Sequence, residues 1–170
     1  MAQRTERVPA TDTLNAACFM SDMITSLSGR IEEMVGLEES SWFIAQVGQD
    51  IGRDISRRYR DADGALPDDP EAIGAILCDL KARIGGHFSV VSADADEIRL
   101  VASRCPFGEK VRGRASLCMM TTHVFGRIAA DACGYSSVRI DEAIALGDPR
   151  CSVTVVLRRT SHGAEHEFYR

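Results

Sequence analysis

The chain has no long apolar run. No stretch of its 170 residues approaches the ~18 to 20 continuous apolar residues of a membrane span, and the opening Met1-Ala2-Gln3-Arg4-Thr5-Glu6-Arg7 carries no apolar signal core. A cytoplasmic protein without a membrane-spanning segment is the expectation. Positive charge is not in surplus either, since 20 Lys and Arg stand against 25 Asp and Glu for a net charge of -5. That balance gives no general basic face for direct nucleic-acid binding, and the short run Arg57-Arg58-Tyr59-Arg60 reads as a solvated helix end. Also missing are a glycine-rich phosphate loop, a Ser or Cys nucleophile motif with a base beside it, a spaced acidic pair and any Cys-x-x-Cys. These absences argue against an enzyme.

What is there points to one compact unit with an appendage. The 45% apolar content supplies a core for one domain in a chain too short for two full-sized ones. The expected organisation is an N-terminal helical segment over 1–40, an α+β sensory domain over 41–160 and a polar tail over 161–170. Six cysteines in a reducing compartment are better explained by packed thiols or metal ligation than by disulfides.

Along the chain, Met20, Ile24, Leu27, Ile31 and Met34 alternate spacings of four and three, which lays them on one stripe of a helix over 14–37. The stripe looks like a seam for packing on its own domain or on a second copy, so a homodimer through this helix is expected. Ser40 and Ser41 open a second helical pattern with apolar positions 43, 44, 47, 51 and 55. Its Gly48 and Gly52, four apart, share a face where another element can come close. The Asp, Gly and Pro of 61–70 read as a loop. Pro70 then starts a third helix that buries Ile73, Ile76, Leu77, Leu80 and Ile84 and stops at Gly85-Gly86.

Two strand-like runs, 87–92 and 97–103, make a hairpin; a helix over 117–133 and strands over 135–144 and 151–157 follow. The tail beyond 161 is expected to fray, with His162 and His166 a solvated pair. The order predicts an α+β fold: N-terminal helices packed on an antiparallel sheet of about four strands, with a helix inserted between the strand pairs.

Three cysteines sit at element ends beside turn-formers. Cys105 precedes Pro106-Phe107-Gly108 at a strand exit, Cys118 begins a helix and Cys151 follows Gly147-Asp148-Pro149-Arg150, so all three can meet at one rim of the sheet. Cys118, at a helix start, is placed for easy ionisation, and Lys110, Arg112 and Arg114 are available to support thiolates. Cys133 lies at the far end of that helix, where the dipole disfavours a thiolate. Cys18 and Cys78 read as packed or exposed thiols.

Cys105-Pro106-Phe107, twelve residues leading to Cys118, the helix with Phe125-Gly126-Arg127-Ile128-Ala129-Ala130, Gly134-Tyr135 and the Gly147-to-Cys151 turn before an alternating strand together resemble the methanogen output domain, from about 42 to 157. Two wider families are similar in part. The Cys-x12-Cys spacing and Gly-Asp-x-x-Cys resemble the sensor region of Suf-type iron-sulfur repressors, and that likeness implies a cluster held by three or four thiolates. The helix-then-sheet order resembles 4-vinyl-reductase-like small-molecule-binding domains, which implies a zinc ion beside an apolar pocket. The chain departs from both: it has no helix-turn-helix, and Ala145 stands where the second family would offer a cysteine after Glu142.

The expectation is a regulatory protein that senses redox state, oxygen, nitric oxide or a small ligand through an iron-sulfur cluster of the 4Fe-4S type. Cys105, Cys118 and Cys151 are its metal ligands, and the fourth position is open, taken by Cys133 or filled by a nonprotein ligand. The alternatives are a zinc site completed by Glu142, Asp148 or His123, with a ligand pocket between the Trp42 helix and the sheet, or three buried thiols with no metal. Having no DNA-binding or kinase module, the chain is expected to act on a partner protein, a transcription factor or a kinase.

Overall fold

The computed structural model describes residues 15–159 and 166–170. Three helices come first, α1 (Ala16–Val35), α2 (Leu37–Arg58) and α3 (Pro70–Arg83), followed by the hairpin of β1 (His87–Ala93) and β2 (Glu97–Arg104). Two 3-10 turns, Gly108–Val111 and Ala115–Leu117, lead into α4 (Cys118–Cys133); then come β3 (Tyr135–Glu142), a third turn at Ile144–Leu146, β4 (Cys151–Val156) and β5 (Glu167–Tyr169). The strands form one antiparallel sheet in the order β1-β2-β4-β3-β5. This is the expected α+β architecture with α4 between the strand pairs, and it has one strand more than expected.

Local chemistry sets most boundaries. Asn15 caps α1 by accepting the Cys18 N–H at 2.9 Å, and Asp69 does the same for α3 through Ala72 N–H at 2.9 Å, with Pro70 in the first turn. The Asp94 carboxylate accepts the N–H groups of Asp96 and Glu97, both at 2.9 Å, which closes the β1–β2 turn. Gly36 separates α1 from α2 at φ 89°, a left-handed conformation that favours glycine. The break moves the start of α2 ahead of Ser40-Ser41, and Ser40 becomes a buried residue whose hydroxyl donates to Leu37 O at 2.9 Å.

The core lies between the sheet and the two helices α3 and α4, where Ile73, Leu77, Phe125 and Ile128 pack with Ile98, Leu100, Val153 and Val155, all buried. α2 covers α4 from outside through its small residues. A Cβ on Gly52 would lie 2.9 Å from Arg127 Cβ, and one on Gly48 would lie 3.0 Å from His123 Cβ. Ser56 in the same row donates to the buried Asp131 carboxylate at 2.6 Å. The close approach of the two backbones decides which face turns inward, so positions 43, 47 and 51 of the expected apolar face point outward: Phe43 is 55% exposed. Ile84 is exposed as well, contrary to expectation.

The tail corrects a further expectation. Within it, Glu167–Tyr169 pairs with β3, Ser136 facing Phe168, and the Phe168 ring is buried over Gly126 of α4. Three residues are too few for a period-two signal to stand out in sequence. His162 lies outside the described residues. No helix among the described residues is long and apolar enough to cross a membrane.

Candidate functional site

The end of α3, the start of β1, the segment 105–118, the start of α4 and the β3–β4 connection enclose one apolar pocket with a cavity of about 60 Å³. That is room for a small group in place of a few waters. Cys105, Cys118 and Cys151 all line it, together with Lys81, Phe88, Phe107, Leu117, Met120 and Val153. Chain direction explains the convergence. Cys105 lies one residue past β2, Cys118 begins α4, and Cys151 begins β4, whose Cys151 pairs with Ala102 of β2. The Cys105 carbonyl accepts the Gly108 N–H at 2.9 Å, turning the chain back over the pocket.

The thiols are desolvated and partly hydrogen-bonded. Burial pushes the Cys118 thiol up to about 12, with Cys151 and Cys105 adding to the rise. The helix start therefore does not make Cys118 acidic: loss of water outweighs the dipole. Cys105 is also raised by burial, against a lowering from the Phe107 N–H on its sulfur. At Cys151 the Ile144 N–H points to Sγ at 3.5 Å. Two of the three sulfurs thus receive a backbone donor.

The cation of the site is Lys81, which the basic-loop expectation missed. Lys81 is 4% exposed, donates Nζ to Thr121 Oγ1 at 2.8 Å and stands 5.1 Å from the Phe125 ring centroid and 5.5 Å from that of Phe88. Burial lowers its ammonium to about 8, and the three cysteines pull it back up. None of the salt bridges among the described residues includes it. Its signal in the sequence was a lysine inside the apolar stripe Ile73, Leu77, Leu80 and Ile84. The three basic residues of the loop are engaged elsewhere, Lys110 with Asp22, Arg112 with Glu109 at 2.6 Å, and Arg114 with Gly113 O at 3.0 Å.

Cys133 is not brought to this pocket. As the last residue of α4 it stands about 22 Å along the helix axis from Cys118 at 1.5 Å per residue, and its Sγ faces the carbonyls of Ala129 and Tyr135. Of the other zinc-ligand candidates, Glu142 pairs with Arg150 and Asp148 accepts the Ala143 N–H at 2.7 Å. His123 packs edge-on against Phe168 with ring centroids 5.1 Å apart. Burial and the neighbouring His166 hold its imidazole down at about 4, so it is neutral at physiological pH, and its Nδ1 is buried without a hydrogen-bond partner. Among the described residues no group of three or more His, Cys, Asp or Glu side chains is arranged to hold a metal ion. A separate, more open pocket of about 440 Å³ lies at the Trp42 helix, lined by Trp42, Ala45, Gln46, Met119, His123 and His166, and it does not include the three cysteines.

No curated protein matches the chain. Among solved structures, the phenol-responsive sensory domain of the transcription activator PoxR, solved with phenol, is similar at a TM-score of 0.61 and 13% identity, over 86% of this chain and 76% of that one. Trafficking protein particle complex subunit 3 from Naegleria fowleri, covalently bound to palmitic acid, is similar at a TM-score of 0.59 and 12% identity, over 84% of this chain and 95% of that one. At those identities the likeness is one of fold. The sequence itself matches the model of methanogen output domain 1 over residues 23–156, and the chain belongs to that family.

Proposed function

We propose that this domain is a cytoplasmic sensory module whose three-cysteine pocket holds an anionic centre, an iron-sulfur cluster of the 4Fe-4S type bound by Cys105, Cys118 and Cys151. Lys81 is its counter-charge, and the signal passes by contact with a regulatory partner protein; binding and contact, not catalysis, are the activity proposed. A homodimer through α1 belongs to the same reading. The observation that carries it is the Lys81 ammonium, buried among three thiols with no carboxylate of the described residues beside it. An unpaired buried ammonium carries a penalty of several kcal/mol, and neutral thiols do not offset it. Thiolates on a cluster do.

The residues fit the group in two further respects. Backbone N–H groups at Cys105 and Cys151 stabilise sulfur-borne negative charge, and the rings of Phe88 and Phe107 with Leu117, Met120 and Val153 keep water out. Bound here, a cluster supplies sensitivity to oxygen, nitric oxide or redox change. The chain's part is to bind it through three thiolates, balance it at Lys81 and shield it. The family's description as an output domain and the sensory role of one similar fold support a regulatory role.

A second reading is favoured by the apolar lining. A small aromatic or aliphatic molecule with an anionic end, a phenolate or carboxylate, would place its charge at Lys81 and its body among the apolar side chains. The two similar folds carry phenol and palmitic acid. Anaerobic purification separates the two. Iron and sulfide with visible absorption, lost in Cys105→Ala, Cys118→Ala and Cys151→Ala, is the outcome expected. Colourless protein that binds phenolate only when Lys81 is present, with or without stoichiometric zinc, transfers the site to the second reading.

A further inference from the structure

α1 is tied to the rest of the domain by the segment that joins two of the pocket cysteines. Within 105–118, the Ser116 hydroxyl shares a buried hydrogen bond with that of Ser28 at 2.8 Å, and its N–H donates to Glu32 Oε1 at 3.0 Å. Lys110 pairs with Asp22, and the Arg114 guanidinium lies over Gly29, where a Cβ would collide with it. The inward face of α1 is therefore polar and small, with Thr25, Ser28 and Gly29 buried.

The outward face is apolar. Met20, Ile24, Leu27 and Met34 stand exposed on the stripe that repeats every three and four residues, the period by which one helix seats along another. Phe43, Val47 and Ile51 are exposed on α2 as well. Across α1 and α2, twelve large apolar side chains are between 39% and 81% exposed. At roughly half of the ~150 to 250 Å² of an aromatic side chain, and less for the aliphatic ones, they amount to several hundred Å², of the order of the ~800 Å² per partner of a standard interface. Solvated monomers rarely leave that much apolar surface contiguous.

We infer that this face docks a second copy of the chain, two α1 stripes meeting in an isologous contact, and that the strength of docking is set by the state of the three-cysteine pocket through the Ser116 segment. The regulation rests on the reading that the pocket receives the signal; the docking surface stands without it. Emptying the pocket frees Cys105 and Cys118 from a common centre, the segment between them shifts, and α1 shifts with it because its polar ties end on that segment.

Sedimentation equilibrium of the full chain under anaerobic conditions tests both parts. Samples are compared as purified and after ferricyanide and chelator; where no iron is present, they are compared before and after alkylation of the pocket thiols by N-ethylmaleimide in a Cys18→Ser, Cys78→Ala, Cys133→Ser background. The expected result is a dimer whose dissociation constant changes about tenfold or more between the two pocket states. Leu27→Glu is expected to be monomeric in both states with its iron or thiol content unchanged. Ser28→Ala combined with Glu32→Gln is expected to keep dimer and pocket content while the change falls below about threefold. A parent that is monomeric at ~100 μM in both states overturns the docking surface. A dimer with equal dissociation constants in the two states, or an undiminished change in the double variant, overturns the coupling. Iron and sulfide are read on the same samples, so their absence counts against the cluster alone.

Discussion

Lys81 shows how one residue changes the meaning of its neighbours. Three half-buried cysteines, with the Cys105 and Cys118 thiols raised by burial, are unremarkable core packing until a buried ammonium stands among them. The ammonium at about 8, against 10.5 for an ordinary lysine, corresponds to about 3 kcal/mol at ~1.36 kcal/mol per pH unit. Lys81→Met is therefore expected to stabilise the empty protein by about 1 to 3 kcal/mol while it loses the anionic occupant. Because the folded-state value lies below the unfolded one, the unfolded chain holds the proton between pH 8 and 10.5 and the folded one does not. Parent stability rises over that window. Urea unfolding of both proteins at pH 7 and pH 10 checks this: the advantage of Lys81→Met is expected at pH 7 and shrinks at pH 10. The cysteines were legible from their turns and Lys81 was not, because a lysine in an apolar stripe looks the same in sequence whether it snorkels to water or stays inside.

Among the elements, the contact of α4 with β5 has the most to break. The Phe168 ring occupies the space of a Gly126 side chain, so Gly126→Ala forces the ring outward and is expected to cost about 1 to 3 kcal/mol in chemical denaturation. His123, wedged between Phe168 and α2, gives the same region an acid limit. Its folded-state value of about 4 lies below the unfolded 6.5, so stability is full above pH 6.5 and is lost as pH falls toward 4, by about 3 kcal/mol. His123→Leu is expected to flatten that window, measured as the melting temperature between pH 7 and 4.5. The hairpin, α3 and α4 were readable because caps and periodicity agreed with tertiary packing. α2 was readable as a helix, but its inward face was not, since Ala45, Gly48, Gly52 and Ser56 win the inward position by letting two backbones approach, against the apolar preference of Phe43, Val47 and Ile51.

At the scale of the molecule, the fold gathers three element ends onto one pocket and hangs the exposed helix on the segment between two of them. In this chain of the methanogen output domain 1 family, that is the route by which the proposed change at the pocket would reach the contact surface. The convergence of Cys105, Cys118 and Cys151 was foreseeable from element order; the exclusion of Cys133 was equally implied by the length of α4, which separates its two ends. The most direct measurement is iron and acid-labile sulfide per chain in anaerobically prepared Cys133→Ala beside Cys118→Ala. The account predicts a full cluster in the first and none in the second. A cluster lost from Cys133→Ala, or iron and sulfide absent from the parent, contradicts it.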